Sequence, residues 1–73
     1  MESENTFARR VYELRVLRKL SQKELGEAVG LTSKSISTIE SGLRKTTIDK
    51  LILLAKFFDV STDYLLGLED NPK

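Results

Sequence analysis

The stretch Ser21-Gln22-Lys23-Glu24-Leu25-Gly26-Glu27-Ala28-Val29-Gly30-Leu31-Thr32-Ser33-Lys34-Ser35-Ile36-Ser37-Thr38-Ile39-Glu40-Ser41 decides how this chain folds. Ser21 and Glu24 have the spacing of a capping box, in which the hydroxyl meets a free backbone N–H and the carboxylate reaches back to the cap. A short helix follows, with Leu25, Ala28 and Val29 predicted inward. Gly30 ends it, because glycine accepts the left-handed conformation that a helix terminus needs. Thr32 or Ser33 caps the next helix, which turns Ile36 and Ile39 inward until Gly42 stops it. Gly26 is small, so the second helix can approach the first closely. Ser33, Lys34, Ser37 and Thr38 are left facing outward.

The flanking sequence has the same helical punctuation. Between Phe7 and Leu20, an apolar stripe runs through Phe7, Val11, Leu14 and then Leu17 or Arg18, at steps of three and four. After Gly42 comes a loop with Arg44 and Lys45, and Thr46 or Thr47 caps a further helix with Ile48, Leu51, Ile52, Ala55 and Phe58 as its apolar positions. Ser61 caps a last short helix from Thr62 to Leu66, closed by Gly67. The only proline is Pro72, so nothing interrupts a helix. The expectation is an all-α, compact five-helix domain over 7–67 with its helix-turn-helix motif at 22–41. A flexible N-terminus is expected over 1–6 and a flexible tail over 68–73.

Composition narrows the function classes. The 73 residues allow one small domain. They include no Cys, His or Trp, so the usual zinc and iron ligand sets cannot be assembled and the commonest general base is missing. No catalytic residue, metal or cofactor is expected. A Ser–Lys hydrolase built on Ser33 or Ser37 with Lys34 fails because adjacent helical residues point apart and no oxyanion loop is evident. With 40% hydrophobic and 32% charged residues, the chain reads as a soluble globular domain. Its longest apolar run, Leu51 to Ala55, is far short of the ~20 residues of a membrane span. The polar, acidic N-terminus does not read as a signal peptide. The expected location is therefore the cytoplasm.

The net charge of +1 hides an asymmetry. Residues 7–56 hold eleven basic and five acidic side chains, net +6, between acidic ends of −2 (1–6) and −3 (57–73). A basic middle suggests an anionic partner, or charges that merely solvate helix faces. An outward polar face held by a neighbouring helix is what major-groove reading of DNA requires.

At this point the chain resembles the lambda-repressor-like, Cro-type helix-turn-helix family, also called the XRE family. The matching residues are Leu14-Arg15, Leu20-Ser21-Gln22, Glu24-Leu25, Val29-Gly30-Leu31, Ile36-Ser37, Ile39-Glu40 and Gly42. They continue through Leu51, Leu54-Ala55-Lys56, Val60-Ser61 and Leu65-Leu66. The resemblance implies a sequence-specific, double-stranded DNA-binding transcriptional regulator, usually a repressor, working as a homodimer on a two-fold operator. It implies base-facing positions at Ser33, Lys34, Ser37 and Thr38. It also implies phosphate contacts at Gln22, Arg44 and Lys45, and a structural ion pair between Arg15 and Glu40; Lys23, next to Gln22, is a further phosphate candidate among charges that otherwise solvate helix faces.

Lys19 stands where the family often has Gly, so a left-handed residue there carries strain. Thr46 replaces a frequent Pro, leaving that loop less rigid. The outward face of the third helix has no Gln, Asn or Arg, so bidentate base readout is sparse. Hydroxyls, bridging water, threonine methyls or DNA shape must then supply much of the specificity. The alternative function is a protein-interaction module, antitoxin-like or a scaffold, on the same fold. The C-terminal helix region with Tyr64, Leu66 and Leu68 is the candidate contact surface, for a partner or for the homodimer.

Overall fold

Val11, Leu25, Ile36, Leu54 and Leu65 are fully buried, and each comes from a different helix. The computed structural model describes residues 6–42 and 46–73. Its elements are α1 (Thr6–Leu17), α2 (Gln22–Val29), α3 (Ser33–Ser41), α4 (Ile48–Phe58) and α5 (Thr62–Leu66), with no strand among the described residues. The all-α, five-helix architecture expected from the sequence is the observed one. Around the five central side chains pack Val29, Ile39, Leu51, Ala55 and Phe58, then the half-buried Phe7, Leu14, Leu31, Phe57, Val60 and Tyr64. Burying one side chain of this size stabilises by about 1.5–3 kcal/mol. Five helices of 5 to 12 residues, too short to stand alone, are held by that shared burial.

Serine and threonine start four of the helices. Ser21, Thr32, Thr47 and Ser61 each accept the backbone N–H three residues on, and Ser21 with Glu24 completes the capping box. The open choices of cap fall to Thr32 over Ser33 and to Thr47 over Thr46. Four helices end on left-handed residues: Gly30, Gly42, Asp59 and Gly67. The fifth, α1, ends through Lys19 at φ 60°. There the N–H of Lys19 donates to Val16 O (2.9 Å) and that of Leu20 to Arg15 O (3.1 Å), the double bond pattern that closes a helix through a left-handed residue. The strain expected from a side chain at position 19 is therefore present.

Several inward assignments need correction. Ala28 is exposed, because Leu25 and Val29 already fill the inner face of α2. Leu17 is 77% exposed. The end of the α1 stripe belongs to Arg18, whose guanidinium donates to the carbonyls of Phe57 (3.2 Å) and Phe58 (3.1 Å) and lies 5.4 Å from both ring centres. On α4, Ile48 is 74% exposed and Ile52 is also exposed, whereas Leu54 is buried with Leu51, Ala55 and Phe58. The uninterrupted apolar run from Leu51 to Ala55 offers no polar residue to mark the outer face. Packing against α2 and α5 chooses it instead.

Position 6, placed in the N-terminal stub by the sequence, is the first residue of α1; residues 1–5 lie outside the described residues. Beyond Gly67 the chain folds back. Arg10 Nη1 donates to the carbonyls of Tyr64 and Glu69, and its Nη2 stands 3.5 Å from the Asp70 carboxylate. The Ser61 N–H donates to Pro72 O (2.8 Å), and Lys73 pairs with Asp59. The Lys73 hydrogen bond holds the Asp59 carboxyl below its ordinary range.

Gly26 is needed for close approach, but to the turn between α2 and α3 and not to the α3 helix itself. A Cβ there would lie 2.7 Å from Leu31 O and 3.0 Å from Thr32 C and O. These are backbone atoms, which cannot swing aside. Alanine is favoured over glycine in a helix by about 1 kcal/mol, yet Gly26→Ala should lower stability by about 1–3 kcal/mol through overpacking. Urea denaturation reads the sign directly, and a more stable variant would refute the contact. Lys19→Gly should do the opposite, raising stability by about 0.5–1 kcal/mol as the left-handed penalty is relieved and partly offset by chain entropy. The readout is a thermal midpoint higher by a few degrees; an unchanged or lower midpoint would mean that position 19 is unstrained.

Candidate nucleic-acid interface

The helix α3 is anchored by its inner residues and flanked at each end by another helix. Ile36 and Ile39 are buried, and α2 and α3 share the most extensive helix–helix contact. With that face fixed, Ser33, Lys34 and Ser37 are exposed and Thr38 is half-buried. The four residues named as base-facing thus lie on the solvent side of α3, with Thr38 at its edge. Ser35 belongs to the cap: its N–H donates to Thr32 Oγ1 (3.0 Å) and its hydroxyl lies 3.1 Å from the same atom.

At the N-terminal end of α3 lies an open cleft of about 350 Å³ between α3 and the start of α4. Lys34, Thr38, Thr46, Thr47 and Lys50 line it, with Thr32, Ser35 and Ile39. Lys50 was missed by the sequence reading. A signal for it existed, because a lysine in the first turn of a helix opposes the helix dipole and needs another reason to be there. Lys23 in α2 and Lys34 in α3 occupy first-turn positions in the same unfavourable sense. Among the described residues, no ion pair engages Lys23, Lys34 or Lys50.

At the other end of α3, Glu40 joins three helices. Arg15 Nε donates to Glu40 Oε2 (2.6 Å) and Nη2 to Oε1 (3.0 Å), a bidentate pair from α1 to the last turn of α3. Arg15 Nη1 also donates to Leu20 O (2.8 Å). The two side chains are 13% and 6% exposed. Hydrogen bonding to Glu40 raises the Arg15 pKa above its ordinary value, against the opposing effect of burial. Gln22, the first residue of α2, donates from Nε2 to Glu40 Oε1 (3.2 Å). The Ser21 cap takes the N–H of Glu24, and helix geometry leaves the first-turn amides of Gln22 and Lys23 available to an anion.

The arginines, by contrast, are engaged within the fold. Arg9 pairs with Glu13, Arg10 holds the C-terminal stretch, Arg15 holds Glu40, and Arg18 holds the end of α4. Arg44 and Lys45, expected to touch phosphate, lie outside the described residues. Of the candidate contact surface, Leu66 and Leu68 are exposed, Leu68 at 75%. Tyr64 is half-buried against the core, with the Arg10 guanidinium 4.1 Å from its ring centre, so its ring is less available than the sequence implied.

Comparison with known proteins gives one consistent answer. A helix-turn-helix family model matches residues 11–65. An uncharacterized HTH-type transcriptional regulator of Bacillus subtilis, YobD, is 39% identical over 66 residues, covering 90% of this chain and 59% of its own length. The HTH-type transcriptional regulators ImmR and AnsR of the same organism are 32% and 33% identical, covering 93% and 82% of this chain and 54% and 52% of their own lengths. The chain thus spans little more than half the length of these relatives. No solved structure matches it.

Removing either partner of the Arg15–Glu40 pair leaves the other charge buried and alone. Glu40→Ala should cost about 3 kcal/mol of stability, whereas Arg15→Met combined with Glu40→Leu should cost less than Glu40→Ala by itself. Equilibrium unfolding of Glu40→Ala, of the double variant, and of Arg15→Met and Glu40→Leu alone checks the ordering. Additive losses would mean that the two residues act independently.

Proposed function

The chain belongs to this helix-turn-helix family, and from that premise we propose that it is a sequence-specific, double-stranded DNA-binding transcriptional regulator, a repressor that binds a two-fold operator as a homodimer. The observation that carries the proposal is the placement of its free cations. The described arginines serve the fold, while unpaired Lys23, Lys34 and Lys50 stand in the first turns of the helix-turn-helix pair and of α4. The relatives' shared designation as transcriptional regulators supports the same reading.

In this mechanism α3 enters the major groove. Lys34 donates to guanine O6 and N7, and Ser33, Ser37 and Thr38 add hydroxyl and methyl contacts to base edges. Gln22, Lys23, Arg44 and Lys45 hold phosphates, and Lys50 joins them from across the cleft. Because few bidentate contacts are available, bridging water and DNA shape supply part of the discrimination. Leu66 and Leu68, beside Tyr64, form the surface through which two copies meet. Repression follows from occupancy of a promoter, with no catalytic step and no cofactor, in the cytoplasm at the nucleoid.

Selection from a random duplex library, followed by a salt titration on the enriched sequence, tests this. The expected result is a two-fold site with half-sites about 10–10.5 bp apart or a multiple of that. Affinity should fall with salt at a log–log slope of about −4 to −7, as expected for roughly 4–8 neutralised phosphates. Lys34→Ala should alter base preference, whereas Lys50→Ala should weaken all sequences alike and shallow the slope by about one. Binding that ignores both sequence and salt would overturn the proposal and favour a protein partner.

A further inference from the structure

We infer that Glu40 is a positioning residue for DNA binding: its carboxylate fixes the Gln22 side-chain amide so that one donor is presented to a phosphate in fixed register with α3. This rests on the phosphate role proposed for Gln22. It goes beyond the Arg15–Glu40 pair, which ties helices together whether or not DNA is bound.

The geometry supplies the argument. Glu40 Oε1 accepts from Arg15 Nη2 (3.0 Å) and from Gln22 Nε2 (3.2 Å), while Oε2 accepts from Arg15 Nε (2.6 Å). An ionised carboxylate only accepts hydrogen bonds, so it selects the amide orientation with Nε2 toward Glu40. The flipped amide would set the Gln22 carbonyl oxygen against a carboxylate oxygen. With Nε2 so held, one of its two hydrogens is spent on Glu40 and the other remains a donor at a defined place. A glutamine free in solvent would have to give up its rotamer freedom on binding. Here that ordering is already present in the free protein. Glu40 itself is locked by two bonds from Arg15 and is almost completely buried, so its own position is not adjustable. Because Glu40 lies in the last turn of α3 and Gln22 opens α2, the donor is fixed relative to the helix that carries Ser33, Lys34, Ser37 and Thr38.

Two measurements test this. The first is a double-mutant cycle with Gln22→Ala and Glu40→Gln, reading dissociation constants on a library-selected duplex and on a random-sequence duplex, at a temperature where circular dichroism shows all variants folded. Gln22→Ala should weaken both duplexes alike by about tenfold, the loss of one hydrogen bond to a charged group. Glu40→Gln should weaken binding several-fold when Gln22 is present and have little further effect when position 22 is Ala. Equal effects of Glu40→Gln in both backgrounds would overturn the positioning role and leave the phosphate role of Gln22 intact. No effect of Gln22→Ala would overturn both.

The second measurement needs no variant. In the free, folded protein, the Gln22 side-chain N–H pair in a ¹H–¹⁵N spectrum should be shifted from free-glutamine positions, with the hydrogen bonded to Glu40 exchanging more slowly with solvent than its partner. Resonances of a freely rotating, rapidly exchanging amide would overturn the proposal even if Glu40→Gln does not fold.

Discussion

The Glu40 carboxylate is the point where α1, α2 and α3 are held in one geometry. Taking a charge out of water is costly, and a carboxylate this deeply placed persists only because Arg15 meets it with two parallel hydrogen bonds and Gln22 with a third. The orientation of α3 follows from that constraint. Apolar contacts at Ile36 and Ile39 give the helix its attachment but little angular preference, since such contacts are non-directional. The bidentate pair is directional. It fixes the last turn of α3 against α1, and through Arg15 it also holds the Leu20 carbonyl where the chain turns into α2.

A second constraint acts at the other end of the motif. The turn from α2 into α3 passes so close to Gly26 that a methyl group would meet backbone atoms. The left-handed Gly30 allows the chain to reverse there, with the Leu31 N–H donating to Gly26 O (2.7 Å). Gly26 and the Arg15–Glu40 pair thus bracket the helix-turn-helix between a backbone contact and an ionic one. Ser33, Lys34 and Ser37, exposed on the outer face of α3, are left without a side-chain hydrogen bond or ion pair among the described residues.

Cations divide by type. Guanidinium groups can satisfy several acceptors in a fixed plane, and here they reach carboxylates, carbonyls and aromatic faces that belong to the fold. Three lysines, Lys23, Lys34 and Lys50, with a compact and strongly hydrated head, stand unpaired at helix starts. A net charge of +1 conceals this, because the acids that cancel Lys23, Lys34 and Lys50 arithmetically do not pair with them among the described residues. Binding energy toward an anion depends on the second quantity.

The caps and terminators were legible in the sequence because they depend on local chemistry. Ser21, Ser61 and Gly67 mark helix ends wherever those helices pack, whereas the left-handed Lys19 was suggested only by the family resemblance. The inner faces of short helices with clean alternation, Leu25 with Val29 and Ile36 with Ile39, were legible for the same reason. In α4 the rule failed: five consecutive apolar residues carry no phase, so only contact with α2 and α5 could decide that Leu54 faces in and Ile48 and Ile52 face out. The pairing of Arg15 with Glu40 was suggested by resemblance, but the place of Gln22 beside them and of Lys50 beside Lys34 was not. Those groups are 18 and 16 residues apart in the chain. What the sequence by itself determined is where α2, α3 and α5 stop and, to within a residue, where α2 to α5 start, since capping acts over three or four residues. Which side chains meet across helices was decided only by the tertiary structure, because burial and ion pairing depend on distances that local sequence does not set.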